Sequence, residues 1–383
     1  MKTKLLIFLI DALGYDYLQE VSFLESFGAK FVPATSLLGY SSTIIPAIWS
    51  GRYPEETGVW TEFFYSPRQP YKLMKIFGRI PNKHIKILMK RAFLRFAQRR
   101  GHWVETLPGI PESVEHMFSR NPIQYWKFPP IELDHSFDEL LEKRDIPYYF
   151  DFHKFEIDEG GILTNLEKLS DSKSVFIYYF GTIDALGHIE GPRPLKFKDK
   201  LEVLERVIVN AYSTLSRHHD VDLIVFSDHG MTEVRGQCDL LSKLRPYRMG
   251  KDYLLFLDST LARFWFFDAK AREEIIAILN SMECGHVLGE EEIGRYKLRF
   301  KDNRYGELIF VADPGIEFYP NFMKPLTFPL IDRETKGMHG YIPEEPSTRG
   351  IFMYHGSKKL ELKDKMSVTD ILDVLKRVLE GSH

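Results

Sequence analysis

The sequence predicts an α/β protein with a mostly parallel central sheet and helices on both faces. Three short apolar runs, at residues 5–10, 174–180 and 222–226, are typical of strands that are buried on both sides. Segments with apolar residues at helical spacing lie between and after these runs. Strands that alternate with helices favour a parallel sheet that is covered on both faces.

Each of these three strands leads into an acidic residue at its C-terminal end. Asp11 follows the first strand, Asp184 follows the second and Asp228 follows the third. In open α/β sheets, ligands bind at the edge where the parallel strands end. We therefore expect the three carboxylates to share one site, although an acidic residue after a strand is often only a helix cap.

Three histidines accompany the carboxylates: His188, His229 and His339. A mixture of carboxylate and imidazole ligands suits Zn²⁺ or Mn²⁺ better than Ca²⁺. Four or more such ligands can hold two ions about 4 Å apart, an arrangement used for displacement at phosphorus. A single loop histidine is more often no ligand at all, so the prediction depends on the whole set.

The remaining patterns predict where the other elements lie. Apolar residues recur at helical spacing at 200–217, 271–282 and 368–379, and strand-like runs occupy 253–257, 263–267 and 307–312. We expect a catalytic core made of residues 1–62 and 151–383, with a smaller insertion at about 240–330. Residues 63–150, rich in proline, aromatic and basic residues, would form an inserted cap.

The charge of the chain is unevenly distributed. The net charge is −3, yet residues 63–104 contain 11 Lys and Arg and no Asp or Glu. Residues 83–101 predict a basic amphipathic helix. Three interpretations stay open: a cap helix packed on the core, a lid that attracts an anionic substrate, or contact with an anionic membrane surface or nucleic acid.

Composition limits the class of protein further. With 44% hydrophobic and 27% charged residues, the chain is neither a disordered polar protein nor a collagen-like repeat. Cys238 and Cys284 cannot form a disulfide scaffold for a chain of this size, and we expect a reducing, cytoplasmic compartment. The initial apolar run is too short for a signal peptide, and no run is long enough to span a membrane. The oligomeric state stays open.

Six motifs together resemble the alkaline phosphatase superfamily, and within it the type I phosphodiesterase/nucleotide pyrophosphatase family. The motifs are LIDALG at 9–14, GYSS at 39–42, SGRYPEETGV at 50–59, GTIDALGHIEGP at 181–192, SDHGM at 227–231 and GMHGY at 337–341. The resemblance implies an alkaline-phosphatase-like fold and two divalent metal ions, Zn²⁺ or Mn²⁺. One ion would be held by Asp184, His188 and His339, and the other by Asp11, Asp228 and His229.

The resemblance leaves the nucleophile open among three hydroxyl residues. Relatives across the superfamily place it about ten residues before a glycine that corresponds to Gly51, which favours Ser41. Thr43 is favoured if a proline must follow closely, as Pro46 does, and Ser42 is a third candidate. All three could instead merely cap the helix ahead.

The resemblance implies a two-metal phosphoric ester hydrolase. The favoured activity is that of a phosphodiesterase or nucleotide pyrophosphatase, with an anionic phosphate ester as substrate and a covalent phospho-Ser/Thr intermediate. A phosphomonoesterase or phosphotransferase of the same superfamily is the first alternative, and an inactive metal-stabilised binding module is the second. A sulfatase is disfavoured, because Thr43 and Ile45 occupy the Pro and Arg positions of the sulfatase motif.

Overall fold

The computed structural model describes residues 3–28, 30–66, 80, 85, 88–89, 92, 110–111, 113–124, 127–323 and 335–380. The chain forms two compact units. The first unit consists of Met1–Trp60, Ile123–Arg235 and Glu334–His383, and the second of Thr61–Pro122 and Gly236–Arg333.

The strands and helices are numbered in chain order over the described residues. The strands are β1 Lys4–Ile10, β2 Val32–Thr35, β3 Phe63–Tyr65, β4 Phe118–Arg120, β5 Tyr148–His153, β6 Val175–Phe180, β7 Val221–Phe226, β8 Thr232–Glu233, β9 Gly236–Cys238, β10 Tyr253–Leu257, β11 Leu261–Phe266, β12 Gly285–Val287, β13 Leu308–Ala312, β14 Ile316–Phe318, β15 Gly337–Met338, β16 Gly350–His355 and β17 Met366–Ser367. The α-helices are α1 Ser41–Ser50, α2 Pro54–Thr57, α3 Phe137–Lys143, α4 Glu159–Leu169, α5 Thr182–Glu190, α6 Lys198–Ser216, α7 Leu240–Lys243, α8 Ala269–Asn280, α9 Glu290–Arg295 and α10 Ile371–Glu380.

The first unit is built on a seven-stranded sheet with the strand order β17-β2-β16-β7-β1-β6-β5. Four neighbouring pairs are parallel, and only β16 runs antiparallel to the strands on either side of it. All seven residues of β1 are buried, as expected of a strand covered on both faces. The predicted mostly parallel sheet is confirmed.

Helices cover both faces of this sheet. Ile7 and Leu9 of β1 pack into one apolar cluster with residues of α1, α3 and α10. Leu6 and Phe8 point to the other face and pack with residues of α4 and α6. The predicted helix at 200–217 is α6, and the one at 368–379 begins as a short 3-10 turn before α10.

The second unit contains a four-stranded antiparallel sheet with the order β10-β11-β13-β12. Three of these strands match the strand-like runs that the sequence predicts between 253 and 312. The predicted helix at 271–282 is α8, which follows β11.

The division into units differs from the expected core and cap. The two predicted insertions fold together, because β3 pairs with β4 and because Arg263 of β11 donates a hydrogen bond to the carbonyl oxygen of Phe63. Residues 123–150 belong instead to the first unit, where α3 packs on the core and β5 adds a parallel strand beside β6. The predicted cap was based on a change in amino-acid composition, and composition does not indicate which strands pair with one another.

Cys238 and Cys284 form a disulfide in the second unit, with their Cα atoms 6.3 Å apart. The sequence did not predict this bridge, because 46 positions separate the two residues and no local motif links them. The cysteines therefore no longer argue for a reducing compartment, and a cytoplasmic location stays a prediction. Among the helices that the structure describes, none is both long and apolar enough to cross a membrane.

The predicted basic helix at 83–101 lies largely outside the described residues. Ile85, Leu88, Met89 and Ala92 are described, and all four have helical backbone and exposed side chains. The three interpretations of this segment stay predictions.

Candidate metal centre

The carboxyl ends of three neighbouring strands bring the predicted acidic residues to one edge of the sheet. Asp11 directly follows β1, and Asp228 lies two residues after the end of β7. Asp184 lies in the first turn of α5, which begins two residues after β6. Because β7, β1 and β6 are adjacent in the sheet, their ends place these side chains close together.

Two groups of side chains could each hold a metal ion. The ligand atoms of Asp184, His188 and His339 lie within 4.8 Å of one another, as do those of Asp11, Asp184 and His229. Asp184 is a member of both groups. The first group has the composition that the family resemblance implies.

The geometry of the first group follows from a helix. Asp184 and His188 are four residues apart in α5 and therefore project from the same face. The Oδ1 atom of Asp184 lies 3.3 Å from Nε2 of His188 and 3.4 Å from Nε2 of His339.

The second group is centred on His229. Its Nε2 atom lies 3.4 Å from Oδ1 of Asp11 and 3.3 Å from Oδ2 of Asp228. The other oxygen of Asp228 accepts hydrogen bonds from the backbone N–H groups of Ala12 and His229. Asp11, Asp228 and His229 thus lie together as expected, and Asp184 is near them as well.

Backbone carbonyl groups orient two of the histidine rings. Nδ1 of His188 lies 2.8 Å from the carbonyl oxygen of Gly337, and Nδ1 of His229 lies 2.8 Å from that of Gly230. Because a carbonyl oxygen can only accept a hydrogen bond, Nδ1 carries the hydrogen in both rings. Nε2 then presents its lone pair to the cluster, an arrangement typical of histidine ligands to metals.

Three buried carboxylate oxygens in the cluster have no hydrogen-bond partner among the described residues: Asp11 Oδ1, Asp184 Oδ1 and Asp228 Oδ2. Buried polar atoms are normally hydrogen-bonded, because leaving one without a partner is unfavourable. Cations bound in the two groups would satisfy these oxygens. The donor set of imidazole nitrogens and carboxylate oxygens fits Zn²⁺ and also Mn²⁺.

The crowding of charges shifts the pKa values of the cluster. Burial and the carboxylates of Asp228 and Asp184 raise the pKa of Asp11 well above its usual value. Burial would also raise the pKa of Asp184, but the neighbouring histidines outweigh it and hold that pKa below the usual range. Burial and the imidazole of His229 lower the pKa of His339, which keeps His339 neutral, as a ligand must be.

The three candidate hydroxyl residues occupy different environments in the first turn of α1. Ser41 is the first residue of the helix, and its Oγ atom lies 3.1 Å from Nε2 of His229. Ser42 and Thr43 are buried, and a Cβ atom built at Gly39 would lie 2.5 Å from Oγ1 of Thr43. The residue before α1, Tyr40, makes no side-chain capping bond. Of the three hydroxyl groups, that of Ser41 is hydrogen-bonded to the cluster.

A tyrosine that the sequence did not single out also contacts the cluster. The hydroxyl of Tyr179 donates a hydrogen bond of 2.5 Å to Oδ2 of Asp11. Tyr179 lies in the buried strand β6, where an aromatic residue is normally interpreted as part of the core. No motif in the sequence could have distinguished it from its neighbours.

An α/β sheet with carboxylates and histidines gathered at its carboxyl edge defines a protein with a candidate metal centre. Residues 5–342 match the family model described as type I phosphodiesterase/nucleotide pyrophosphatase. The chain belongs to this family, which confirms the resemblance found in the sequence motifs.

The curated relatives are similar over a limited segment. Ectonucleotide pyrophosphatase/phosphodiesterase family member 7 from mouse is 36% identical over 82 residues, which is 21% of this chain and 19% of that protein. The rat protein of the same name is 39% identical over 77 residues, or 19% of this chain and 18% of that protein. The match thus spans about a fifth of the length of either relative.

Solved structures share the fold over nearly the whole chain. Human ectonucleotide pyrophosphatase/phosphodiesterase 5 has a TM-score of 0.68 at 16% identity, covering 98% of this chain and 95% of the other. An inactive threonine-to-alanine variant of murine ectonucleotide pyrophosphatase/phosphodiesterase 5, in complex with AMP, has a TM-score of 0.66 at 17% identity. The match covers 99% of this chain and 95% of the other.

Proposed function

We propose that the protein is a metal-dependent phosphodiesterase of the nucleotide pyrophosphatase kind, with Ser41 as its nucleophile. One observation carries the proposal: Oγ of Ser41 lies 3.1 Å from Nε2 of His229, inside a cluster with three buried carboxylate oxygens that have no hydrogen-bond partner in the described part of the chain. Membership of the type I phosphodiesterase family supports the same activity.

In this proposal the site binds two divalent ions, which are either Zn²⁺ or Mn²⁺. Asp184, His188 and His339 would bind one ion, and Asp11, Asp228 and His229 the other, with Asp184 close to the second ion as well. When bound, such ions stabilise negative charge on phosphoryl oxygens and favour the ionised form of a nearby hydroxyl.

Ser41 performs the substitution at phosphorus in this proposal. Its Oγ forms a bond to phosphorus while the bond from phosphorus to the first alcohol breaks. Ser41 gives up one proton, the departing alkoxide gains one, and water later hydrolyses the phosphoserine ester to release the product. The position of Ser41 at the start of α1 supports this role, because a helix N-terminus favours an anionic phosphoryl group.

The activity is tested with three chromogenic esters. Purified protein is incubated with Zn²⁺ or Mn²⁺ and bis-p-nitrophenyl phosphate, p-nitrophenyl phosphate or p-nitrophenyl sulfate. We expect the diester to be hydrolysed with the highest kcat/KM. A preference for the monoester would favour a phosphomonoesterase or phosphotransferase, and no hydrolysis of any ester would favour a binding module.

A nucleotide substrate is the finer part of the proposal. A murine protein with the same fold was solved in complex with AMP, which supports a site that accepts a nucleoside monophosphate group. We expect the p-nitrophenyl ester of thymidine monophosphate to be hydrolysed faster than bis-p-nitrophenyl phosphate, and AMP to inhibit competitively. Equal rates for both diesters and no inhibition by AMP would reject nucleotide recognition while leaving the diesterase activity intact.

A further inference from the structure

Tyr179 lies in strand β6 of the central sheet and contacts Asp11 of the proposed metal centre. It lies opposite Leu9 in the parallel pairing of β6 with β1. Asp11 follows two residues after Leu9 and therefore projects toward the same face of the sheet. The Tyr179 side chain is buried, with 2% of the residue exposed, and its hydroxyl donates to Oδ2 of Asp11.

Because of this hydrogen bond, the two oxygens of the Asp11 carboxylate have different environments. Oδ2 accepts from Tyr179 at 2.5 Å. Oδ1 is buried, has no hydrogen-bond partner among the described residues, and lies 3.4 Å from Nε2 of His229. A carboxylate held at one oxygen by a rigid donor has little freedom to rotate, so its other oxygen keeps a fixed direction.

We propose that Tyr179 is a positioning residue that aims Oδ1 of Asp11 at the divalent ion held with His229. The inference rests on the proposed metal centre and adds to it an outer residue that acts only through Asp11. Outer hydrogen-bond partners of metal ligands typically contribute about 10- to 100-fold to metal affinity.

The preceding residue, Tyr178, offers a matched control. Its side chain is also fully buried, and it points to the opposite face of the sheet, where its ring stacks on Phe8. The Tyr178 hydroxyl has no hydrogen-bond partner among the described residues. Tyr178→Phe and Tyr179→Phe therefore remove the same atom from neighbouring buried positions, but only the second removes a contact to Asp11.

The test is competition for Zn²⁺ between the full chain and a chromophoric chelator. We expect wild type to bind two ions and Tyr179→Phe to bind one of them about 10- to 100-fold more weakly. Tyr178→Phe should bind both ions like wild type. Denaturant unfolding of each metal-free variant checks that the fold is kept.

A double-mutant cycle separates positioning from a general structural effect. In an Asp11→Ala background, Tyr179→Phe should have no further effect on Zn²⁺ affinity, because the group that it orients is gone. Equal Zn²⁺ affinity in Tyr179→Phe and wild type would overturn the inference. So would a Tyr179→Phe substitution that lowers Zn²⁺ affinity as much in the Asp11→Ala background as in the wild-type background. If the wild-type protein does not bind two ions, the proposed metal centre is rejected and the inference with it. This outcome differs from the two above, in which the wild type binds both ions but Tyr179 does not affect their affinity through Asp11.

Discussion

The Oδ1 atom of Asp184 lies 3.3 Å from Nε2 of His188, one helical turn further along α5. The same oxygen lies 3.4 Å from Nε2 of His339, and Asp184 also belongs to the group that contains Asp11 and His229. Asp184 is therefore the residue that the two candidate metal sites share, whereas His188 belongs to one of them.

This sharing predicts different stoichiometries for two ligand variants. Asp184→Asn should weaken the binding of both ions, and His188→Ala should weaken only one, each by more than the ~10- to 100-fold that is typical of losing an outer hydrogen-bond partner. Zn²⁺ content after dialysis against a mild chelator, measured by atomic emission, reports the stoichiometry. His286→Ala is the control, since His286 lies in the second unit beside Glu292 and should leave the metal content unchanged.

The position of Ser41 predicts which hydroxyl is essential. Ser41→Ala should lower kcat for the diester by at least ~10³-fold while Zn²⁺ affinity is kept, because only the nucleophile is removed. Ser42→Ala and Thr43→Val are the controls, since both side chains are buried beside Ser41 in α1. If Thr43→Val is inactive while Ser41→Ala turns over normally, then Thr43 is the nucleophile.

The raised pKa of Asp11 predicts that this carboxylate destabilises the metal-free protein at neutral pH. Burial and the carboxylates of Asp228 and Asp184 raise that pKa in the folded state, so folding favours the protonated form. The stability associated with this proton is present below the unfolded pKa of about 3.9 and is lost as pH rises through the raised folded pKa.

Asp11→Asn should consequently raise the Tm of the metal-free protein at pH 7 by roughly 2 °C or more. The gain should shrink as pH falls toward the unfolded pKa of about 3.9, because Asp11 is then protonated in both the folded and the unfolded chain. Differential scanning calorimetry in the presence of a chelator, repeated across this pH range, measures both effects. A gain that is the same at every pH would mean that the charge of Asp11 is not its cause.

Gly230 is predicted to be intolerant of any side chain. A Cβ atom at this position would lie 2.3 Å from the carbonyl oxygen of Ser347 and 2.8 Å from that of Arg349. Gly230→Ala should lower the free energy of unfolding by about 2 kcal/mol or more, and it should disturb His229, whose Nδ1 bonds to the Gly230 carbonyl.

Gly160→Ala provides the matched control for this prediction. Gly160 lies in the first turn of α4, and the nearest atom to an added Cβ there is 3.9 Å away. This change should leave the stability unaltered or raise it slightly. Urea unfolding of both variants gives the comparison, and equal stabilities would show that the loop around Gly230 relaxes freely.

Local patterns in the sequence were sufficient to predict the central sheet of the first unit and the edge of that sheet at which Asp11, Asp184 and Asp228 lie. The apolar runs that end in Asp11, Asp184 and Asp228 gave the sheet, because a strand buried on both faces needs apolar residues throughout. The sequence was less informative about the helix that carries Asp184 and His188, since the spacing of apolar residues did not identify a helix there. Gly187 lies between these two residues, and glycine is unfavourable in the interior of a helix.

Features that depend on distant pairing could not be predicted. Cys238 ends β9 and Cys284 directly precedes β12, and the two meet only because the fold of the second unit brings these segments together. The hydroxyl of Tyr179 reaches Asp11 only through the register of two strands that are 168 positions apart at the contact. Neither relationship has a local signal, since each is set by which strands become neighbours.

The wide spacing of the proposed metal ligands along the sequence has a consequence for biosynthesis. The two candidate groups draw on residues from Asp11 to His339, which are 328 positions apart in the sequence. A nascent polypeptide that has not yet emerged as far as His339 lacks the third member of one group. A zinc finger gathers ligands that are close in sequence and folds around its ion, whereas the proposed loading of this site would have to wait until the 155 positions from Asp184 to His339 have been synthesised.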